Sequence, residues 1–153
     1  EVRGPNVFKG YWKMPEKTQA ELRENGFFIT GDLGKIDEDG YIHILGRDKD
    51  LIISGGYNIY PKELEEIIDD QAGVLESAVI GVPHPDFGET PIAVIVSEAE
   101  NAPELETIEN NLSKSLARYK HPRKLFLIDQ LPRNTMGKVQ KNILREEYKN
   151  LFL

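Results

Sequence analysis

Hydrophobic positions along this chain follow helical and strand-like periods in turn, and the order of the periods predicts a small α+β fold. Apolar residues at helical spacing predict three helices, over residues 61–70, 103–119 and 141–152. Runs rich in β-branched residues predict three strands, over residues 74–84, 91–98 and 123–132. Two short extended pieces, broken by Gly55-Gly56, precede the first helix. From about residue 50 the predicted order is β-β-α-β-β-α-β-loop-α, a short sheet covered by helices. The segment "PHPDFGET", residues 83–90, is expected to be a loop.

The first 48 residues carry a weaker pattern. "PEKTQAELR" predicts a short helix that begins at Pro15, and alternating apolar residues around Asp39-Gly40 predict a hairpin. This stretch has too little apolar surface to build a core of its own. We therefore expect its aromatic side chains to be poorly covered and prone to disorder or self-association. These side chains are Phe8, Tyr11, Trp12, Phe27 and Phe28.

Composition narrows the classes of function. The chain has 153 residues, 19 basic against 26 acidic side chains, a net charge of −7 and no cysteine. A general nucleic-acid or membrane-binding surface is not expected from that charge, and disulfides and thiolate metal sites are excluded. No apolar run approaches the length of a membrane span, so a cytoplasmic protein is the expectation.

Three polar segments could carry chemistry, and each has an ordinary alternative. Asp32 follows Thr30-Gly31 and either stabilises its own turn or accepts hydrogen bonds from a diol, as acidic residues do for ribose hydroxyls. Lys138 closes the turn "PRNTMGK" and is either a solvated lysine or a point charge for an anionic substrate. The basic run of residues 118–124 is either a solvated face or a local anion site.

The segment "GRDKDLIISGG", residues 46–56, places four consecutive charged residues between apolar strands. It is either a polar connector or a hinge, in which a few backbone torsions absorb a rotation between domains. Gly55 and Gly56 either form a bulge or let a ligand approach the backbone closely.

Taken together, residues 27–32, 46–65 and 132–145 resemble the adenylate-forming superfamily of acyl-CoA synthetases, adenylation domains and luciferases. The shared pattern is Thr-Gly-Asp, then Gly-Arg-x-x-Asp-x-Ile, then Pro-x-x-x-x-Gly-Lys. "VRGPNVFKGYW", "FFITGDLGKID" and "LPRNTMGKVQKN" are most similar to the malonyl-CoA synthetase subgroup. The resemblance implies the fold of the last third of such an enzyme. Residues 1–48 would be the tail of a large N-terminal domain that is missing, and residues 49–153 the mobile C-terminal domain.

The resemblance also implies roles for single residues. Asp32 would bind the ribose hydroxyls of ATP, Arg47 would contact the nucleotide, and Lys49 would be the hinge. Lys138 would stabilise charge as a carboxylate attacks the α-phosphate of ATP. Residues expected to contact CoA are Ser54, Gly55, Gly56, Phe87, Tyr119, Lys120 and Arg123. His121 stands where related synthetases can carry arginine, which puts a phosphate contact at that position in doubt.

The activity implied is the AMP-forming ligation of malonate to CoA, with ATP, CoA and Mg²⁺ taking part. The ATP phosphate loop, the acyl pocket and the Mg²⁺ ligands belong to the family's N-terminal domain, so this chain alone is expected to be inactive. Two other functions stay open. One is a stand-alone CoA-binding or regulatory module that lost catalysis, and the other is an adenylating enzyme whose acceptor is a carrier protein.

Overall fold

The computed structural model describes all 153 residues, in an N-terminal unit of Glu1–Lys49 and a C-terminal unit of Asp50–Leu153. In the N-terminal unit, helix α1 spans Pro15–Glu21, and strands β1 (Asp32–Ile36) and β2 (Ile42–Arg47) form an antiparallel hairpin. Proline at the start of α1 fits its first turn, where the missing amide proton costs nothing. No side chain of this unit is buried, and that of Trp12 is 85% exposed.

The C-terminal unit contains a five-stranded sheet and three helices. Its strands are β3 (Ile52–Ser54), β4 (Tyr57–Ile59), β5 (Val74–His84), β6 (Gly88–Ser97) and β7 (Leu125–Ile128). Its helices are α2 (Pro61–Asp69), α3 (Leu105–Ser115) and α4 (Lys141–Tyr148), with a 3-10 helix at Arg118–Lys120. This is the order predicted from the hydrophobic pattern, and the α+β fold class is confirmed.

Strand β6 is the centre of the sheet. It pairs with β5 along its whole length, and on its other side with β3 at Gly88 and with β7 at Ala93–Val96. The β7 pairing is parallel, and all the others are antiparallel. Because β3 and β7 share one side of β6, the segments that follow β3 and precede β7 are brought close together at one end of the sheet.

Both faces of the sheet are covered, which explains why β5 and β6 are almost continuously apolar. Alternate residues point to opposite faces: Val79 packs with α2 and α3, and Ile80 packs with α4. Helices α2, α3 and α4 contribute the fully buried side chains Leu64, Ile108 and Leu144, respectively, to these two cores. None of the helices combines the length and apolar character needed to cross a membrane.

Several predicted boundaries are wrong. The expected loop at residues 83–90 is a three-residue turn, because His84 pairs with Gly88 and both strands run up to it. Helix α3 ends at Ser115, since Leu116 turns to an extended conformation and packs against the core. The last helix ends at Tyr148 and not at residue 152.

Candidate functional site

A glycine turn forms one wall of the site. Gly55 and Gly56 link β3 to β4 and have φ angles of +56° and +85°, as the tightest hairpin turns require at both central residues. The Gly55 amide donates a 2.9 Å hydrogen bond to the carbonyl of Phe87. A Cβ atom on Gly55 would lie 3.3 Å from Phe87 Cδ1, so glycine permits the close approach of this turn to the Phe87 ring.

Phe87 forms the second wall, from the turn between β5 and β6. The guanidinium of Arg123 lies over its ring, 4.7 Å from the centroid. The backbone amide of Arg123 donates a 2.8 Å hydrogen bond to the Pro91 carbonyl, which fixes the segment before β7 against β6. On the outer side, the His84 ring packs between Phe87 and Phe152, at centroid distances of 4.8 and 5.2 Å.

Two tyrosines form the third wall. The rings of Tyr57, on β4, and Tyr119, in the 3-10 helix, stack with their centroids 4.6 Å apart and their planes at 29°. Such offset aromatic pairs add stability beyond the apolar area that they bury. The pair ties the 3-10 helix to the short β3–β4 hairpin.

These walls enclose an open cleft of about 940 Å³ within the C-terminal unit. Its lining residues are Ser54, Gly55, Tyr57, Phe87, Thr90, Glu109, Asn110, Leu112, Ser113, Arg118, Tyr119, His121, Pro122 and Arg123. A nucleotide-sized ligand is within the size range of such a cleft. Aromatic faces with two guanidinium groups suit a ligand that combines a base with phosphate.

The cleft gathers most of the residues expected to contact CoA. Ser54, Gly55, Phe87, Tyr119 and Arg123 all line it, although they come from three separate segments of the chain. Gly56 and Lys120 do not line it. The Lys120 ammonium instead binds both carboxylate oxygens of Glu63 on α2, at 2.6 and 2.7 Å.

Some lining residues escaped the sequence reasoning. Thr90, which is almost fully buried, and the polar residues of α3 line the cleft, but none of them belongs to a recognised motif. His121, for which the sequence left a phosphate contact in doubt, also lines the cleft, and its Nε2 donates a hydrogen bond to the Leu116 carbonyl at 3.0 Å. The sequence carries one signal for the α3 residues, which is amphipathicity, because Glu109, Asn110 and Ser113 fall on the polar face of the predicted helix.

The two residues expected to contact ATP in the N-terminal unit are neighbours. Arg47 Nε lies 3.1 Å from Asp32 Oδ1, and Arg47 Nη1 donates to the Thr30 carbonyl at 2.7 Å. Gly31 has a φ of +71°, and the Asp32 amide donates to Thr30 Oγ1 at 3.1 Å. The Thr-Gly-Asp turn therefore presents the Asp32 carboxylate beside a guanidinium group at the start of β1.

Lys138 lies in a tight turn of the C-terminal unit. Asn134 Oδ1 accepts hydrogen bonds from the amides of Met136 and Lys138, at 3.0 and 2.9 Å, and Gly137 has a φ of +78°. Arg133 donates to the Gly137 carbonyl and also binds Glu76 on β5. The Lys138 side chain is exposed and takes part in no salt bridge, so a rigid turn holds out a free ammonium group.

Two ion pairs connect α4 to other segments of the C-terminal unit. Lys141, at the start of α4, pairs with Glu65 of α2 at 2.5 Å, and Glu65 also accepts the Val79 amide at 2.8 Å. Further along α4, Arg145 pairs with Asp50 at 2.7 Å. Lys49 directly precedes Asp50 and is the last residue of the N-terminal unit.

Burial raises the pKa of the Asp69 carboxyl on α2. No group of three or more histidine, aspartate or glutamate side chains in the structure is arranged to hold a metal ion.

Comparison with known proteins decides the family. Residues 63–138, which include the Lys138 turn and much of the cleft, match the AMP-binding enzyme C-terminal domain. This chain contains an AMP-binding C-terminal domain. The resemblance found in the sequence is thereby confirmed.

Relatives of this AMP-binding C-terminal domain are acyl-CoA ligases. The chain is 43% identical over 147 residues to the long-chain-fatty-acid–CoA ligase FadD13 of Mycobacterium tuberculosis. The aligned residues make up 96% of this chain and 29% of that protein. It is 41% identical over 151 residues to the 2-succinylbenzoate–CoA ligase of Geobacillus kaustophilus, covering 99% of this chain and 30% of that one.

Solved structures give the same picture. ATP-bound MatB from Rhodopseudomonas palustris is 60% identical to this chain and superposes with a TM-score of 0.86, over 99% of this chain and 30% of MatB. The o-succinylbenzoate CoA synthetase MenE of Bacillus subtilis is 38% identical, with a TM-score of 0.86. The chain thus spans about 30% of the length of the relatives that it matches.

Proposed function

We propose that this chain is the C-terminal portion of an ATP-dependent acyl-CoA ligase, of the type that joins malonate to CoA. The products would be malonyl-CoA, AMP and pyrophosphate, formed through an acyl-adenylate. The observation that carries the proposal is the cleft, where five of the seven residues expected to contact CoA come together. The ligase relatives support the reaction class, and the 60% identity to MatB, a malonyl-CoA synthetase, supports malonate as the acid.

In the first half-reaction, a carboxylate oxygen of the acid bonds to the α-phosphorus of ATP, and the bond to pyrophosphate breaks. Lys138 would donate to the oxygens that gain negative charge in that step. Its turn is fixed by Asn134 and Arg133, so the backbone from which the Lys138 side chain extends is held in place. Asp32 would accept hydrogen bonds from the ribose hydroxyls, and Arg47, which pairs with the Asp32 carboxylate, would also contact the nucleotide.

In the second half-reaction, the CoA thiolate attacks the acyl carbon and AMP leaves. The cleft would bind the CoA nucleotide between the aromatic rings of Phe87 and Tyr119, and the Gly55 turn would let pantetheine pass close to the backbone. Lys49 would be the hinge about which residues 49–153 rotate between the two half-reactions. Residues 1–48 would be the tail of the large N-terminal domain.

The chain alone would not catalyse the reaction. Its residues provide a lysine for the charge and a cleft for CoA, but positioning of ATP and acid supplies much of the rate of such enzymes. The residues that position ATP and the acid, together with the Mg²⁺ ligands, would lie on an N-terminal domain that acts as the partner of this chain. A stand-alone CoA-binding module is the competing function, and it requires CoA binding without any role for Lys138.

Reconstitution tests the proposal. The N-terminal portion of Rhodopseudomonas palustris MatB, ending before the region matched here, is joined to this chain, and malonyl-CoA formation is measured from malonate, ATP and CoA. We expect activity from the joined protein and none from either part. Malonyl-CoA formation by the chain alone would refute the proposal, and so would an inactive but correctly folded joined protein.

A further inference from the structure

The charges in the cleft are only partly those that the sequence suggested. Two arginines, Arg118 and Arg123, line it, against one carboxylate, Glu109. Neither Arg118 nor Glu109 takes part in a salt bridge, and the Arg118 side chain is exposed. In a chain of net charge −7, an excess of unpaired guanidinium groups in one concave site favours an anionic ligand.

Lys120, in contrast, is already neutralised. Its ammonium contacts both carboxylate oxygens of Glu63, and its side chain is only 19% exposed. Turning Lys120 toward a ligand would break both of these hydrogen bonds and leave Glu63 without its partner. The pair also holds the 3-10 helix against the first turn of α2.

The 3-10 helix separates the roles of three consecutive residues. With three residues per turn, adjacent side chains point about 120° apart. Accordingly, Lys120 points to Glu63 on α2, whereas Arg118 and Tyr119, which stacks on Tyr57, both line the cleft. Anchoring Lys120 therefore sets the orientation of the other two.

We infer that Arg118 is a phosphate-contacting residue for CoA in this cleft, and that Lys120 is a positioning residue that acts through Glu63. The inference rests on the proposed function and goes beyond it, because the resemblance implied CoA contacts for Lys120 and Arg123 and gave Arg118 no role. Arg123 lies over the Phe87 ring, so its stacked guanidinium presents its edge to the same ligand.

The test is an NMR titration of the ¹⁵N-labelled 153-residue chain with CoA and, separately, with pantetheine, which lacks every phosphate. The readout is the ratio of the pantetheine Kd to the CoA Kd, which reports the contribution of the phosphates. The variants are Arg118→Gln, Arg118→Lys and the double variant Lys120→Met/Glu63→Gln, which removes both charges of the pair. Lys124→Gln is the matched control, since Lys124 is exposed nearby but does not line the cleft.

We expect Arg118→Gln to lower the ratio about tenfold, the size of one charge-assisted hydrogen bond, while Arg118→Lys keeps most of it. Lys124→Gln should leave it unchanged. The double variant should raise both Kd values together, which leaves the ratio near that of the wild type. A ratio unaffected by Arg118→Gln, or one that falls in the double variant, would overturn this inference but leave the proposed function standing. Absence of CoA-induced shifts around Gly55 and Phe87 in the wild type would overturn the CoA site itself.

Discussion

Replacing Gly55 with alanine tests whether the glycine turn shapes the cleft. The φ of +56° places an alanine in the left-handed region, at a cost of roughly 1–2 kcal/mol. The new methyl group would also meet Phe87 Cδ1 at 3.3 Å, so the ring must shift by a few tenths of an ångström. Phe87 supports the Arg123 guanidinium, and this shift would therefore reach the groups proposed to bind CoA.

Gly56→Ala is the matched control. Its φ of +85° imposes a similar backbone strain, but a Cβ there would meet no atom within 4 Å. We expect both variants to lose roughly 1–2 kcal/mol in urea denaturation followed by far-UV circular dichroism. Only Gly55→Ala should also weaken CoA binding, by several-fold, in the same NMR titration. Equal CoA affinities for the two variants would refute the idea that the contact with Phe87 shapes the site.

Three further predictions concern stability. Leu64→Ala removes a fully buried α2 side chain and should cost about 2–5 kcal/mol in urea denaturation, whereas a loss below 1 kcal/mol would contradict the described core. Burial and Glu147 raise the pKa of Tyr148 above its usual value of 10.0, so the folded state favours the neutral phenol and loses stability as the pH rises past 10. Tyr148→Phe should lose less stability than the wild type over that alkaline range, and parallel pH profiles would contradict it. Hydrogen exchange should be fast throughout Glu1–Lys49, where no side chain is buried, and slow in β5 and β6. Protection of β1 in a monomer that is comparable to the protection of β5 and β6 would contradict this prediction.

The hydrophobic pattern predicted the order of elements because both cores are built from periodic apolar residues. Strand β5 begins and ends as predicted, since β-branched residues fill both of its faces. The end of α3 could not be predicted, because Leu116 leaves the helix in order to pack on a core made of distant segments. That departure creates the 3-10 helix and the wall that carries Tyr119.

The candidate site was predictable where a glycine or a motif marked it. Gly55 and Gly137 both have the positive φ angles that their turns require. Lys120 was different, because its partner Glu63 is 57 residues away in sequence. A basic run does not show which of its side chains is paired in the fold, so the paired Lys120 and the free Arg118 looked alike.

The central claim is that Lys138 acts in adenylation and not in CoA binding. The most direct measurement compares wild type and Lys138→Ala in the protein joined to the N-terminal portion of MatB, with the two half-reactions assayed separately. Pyrophosphate release from ATP and malonate should fall about 100-fold or more in the variant, as expected when a donor to transition-state charge is lost. Malonyl-CoA formation from preformed malonyl-adenylate and CoA should stay near the wild-type rate. Undiminished pyrophosphate release, or an equal loss in both half-reactions, would contradict the account.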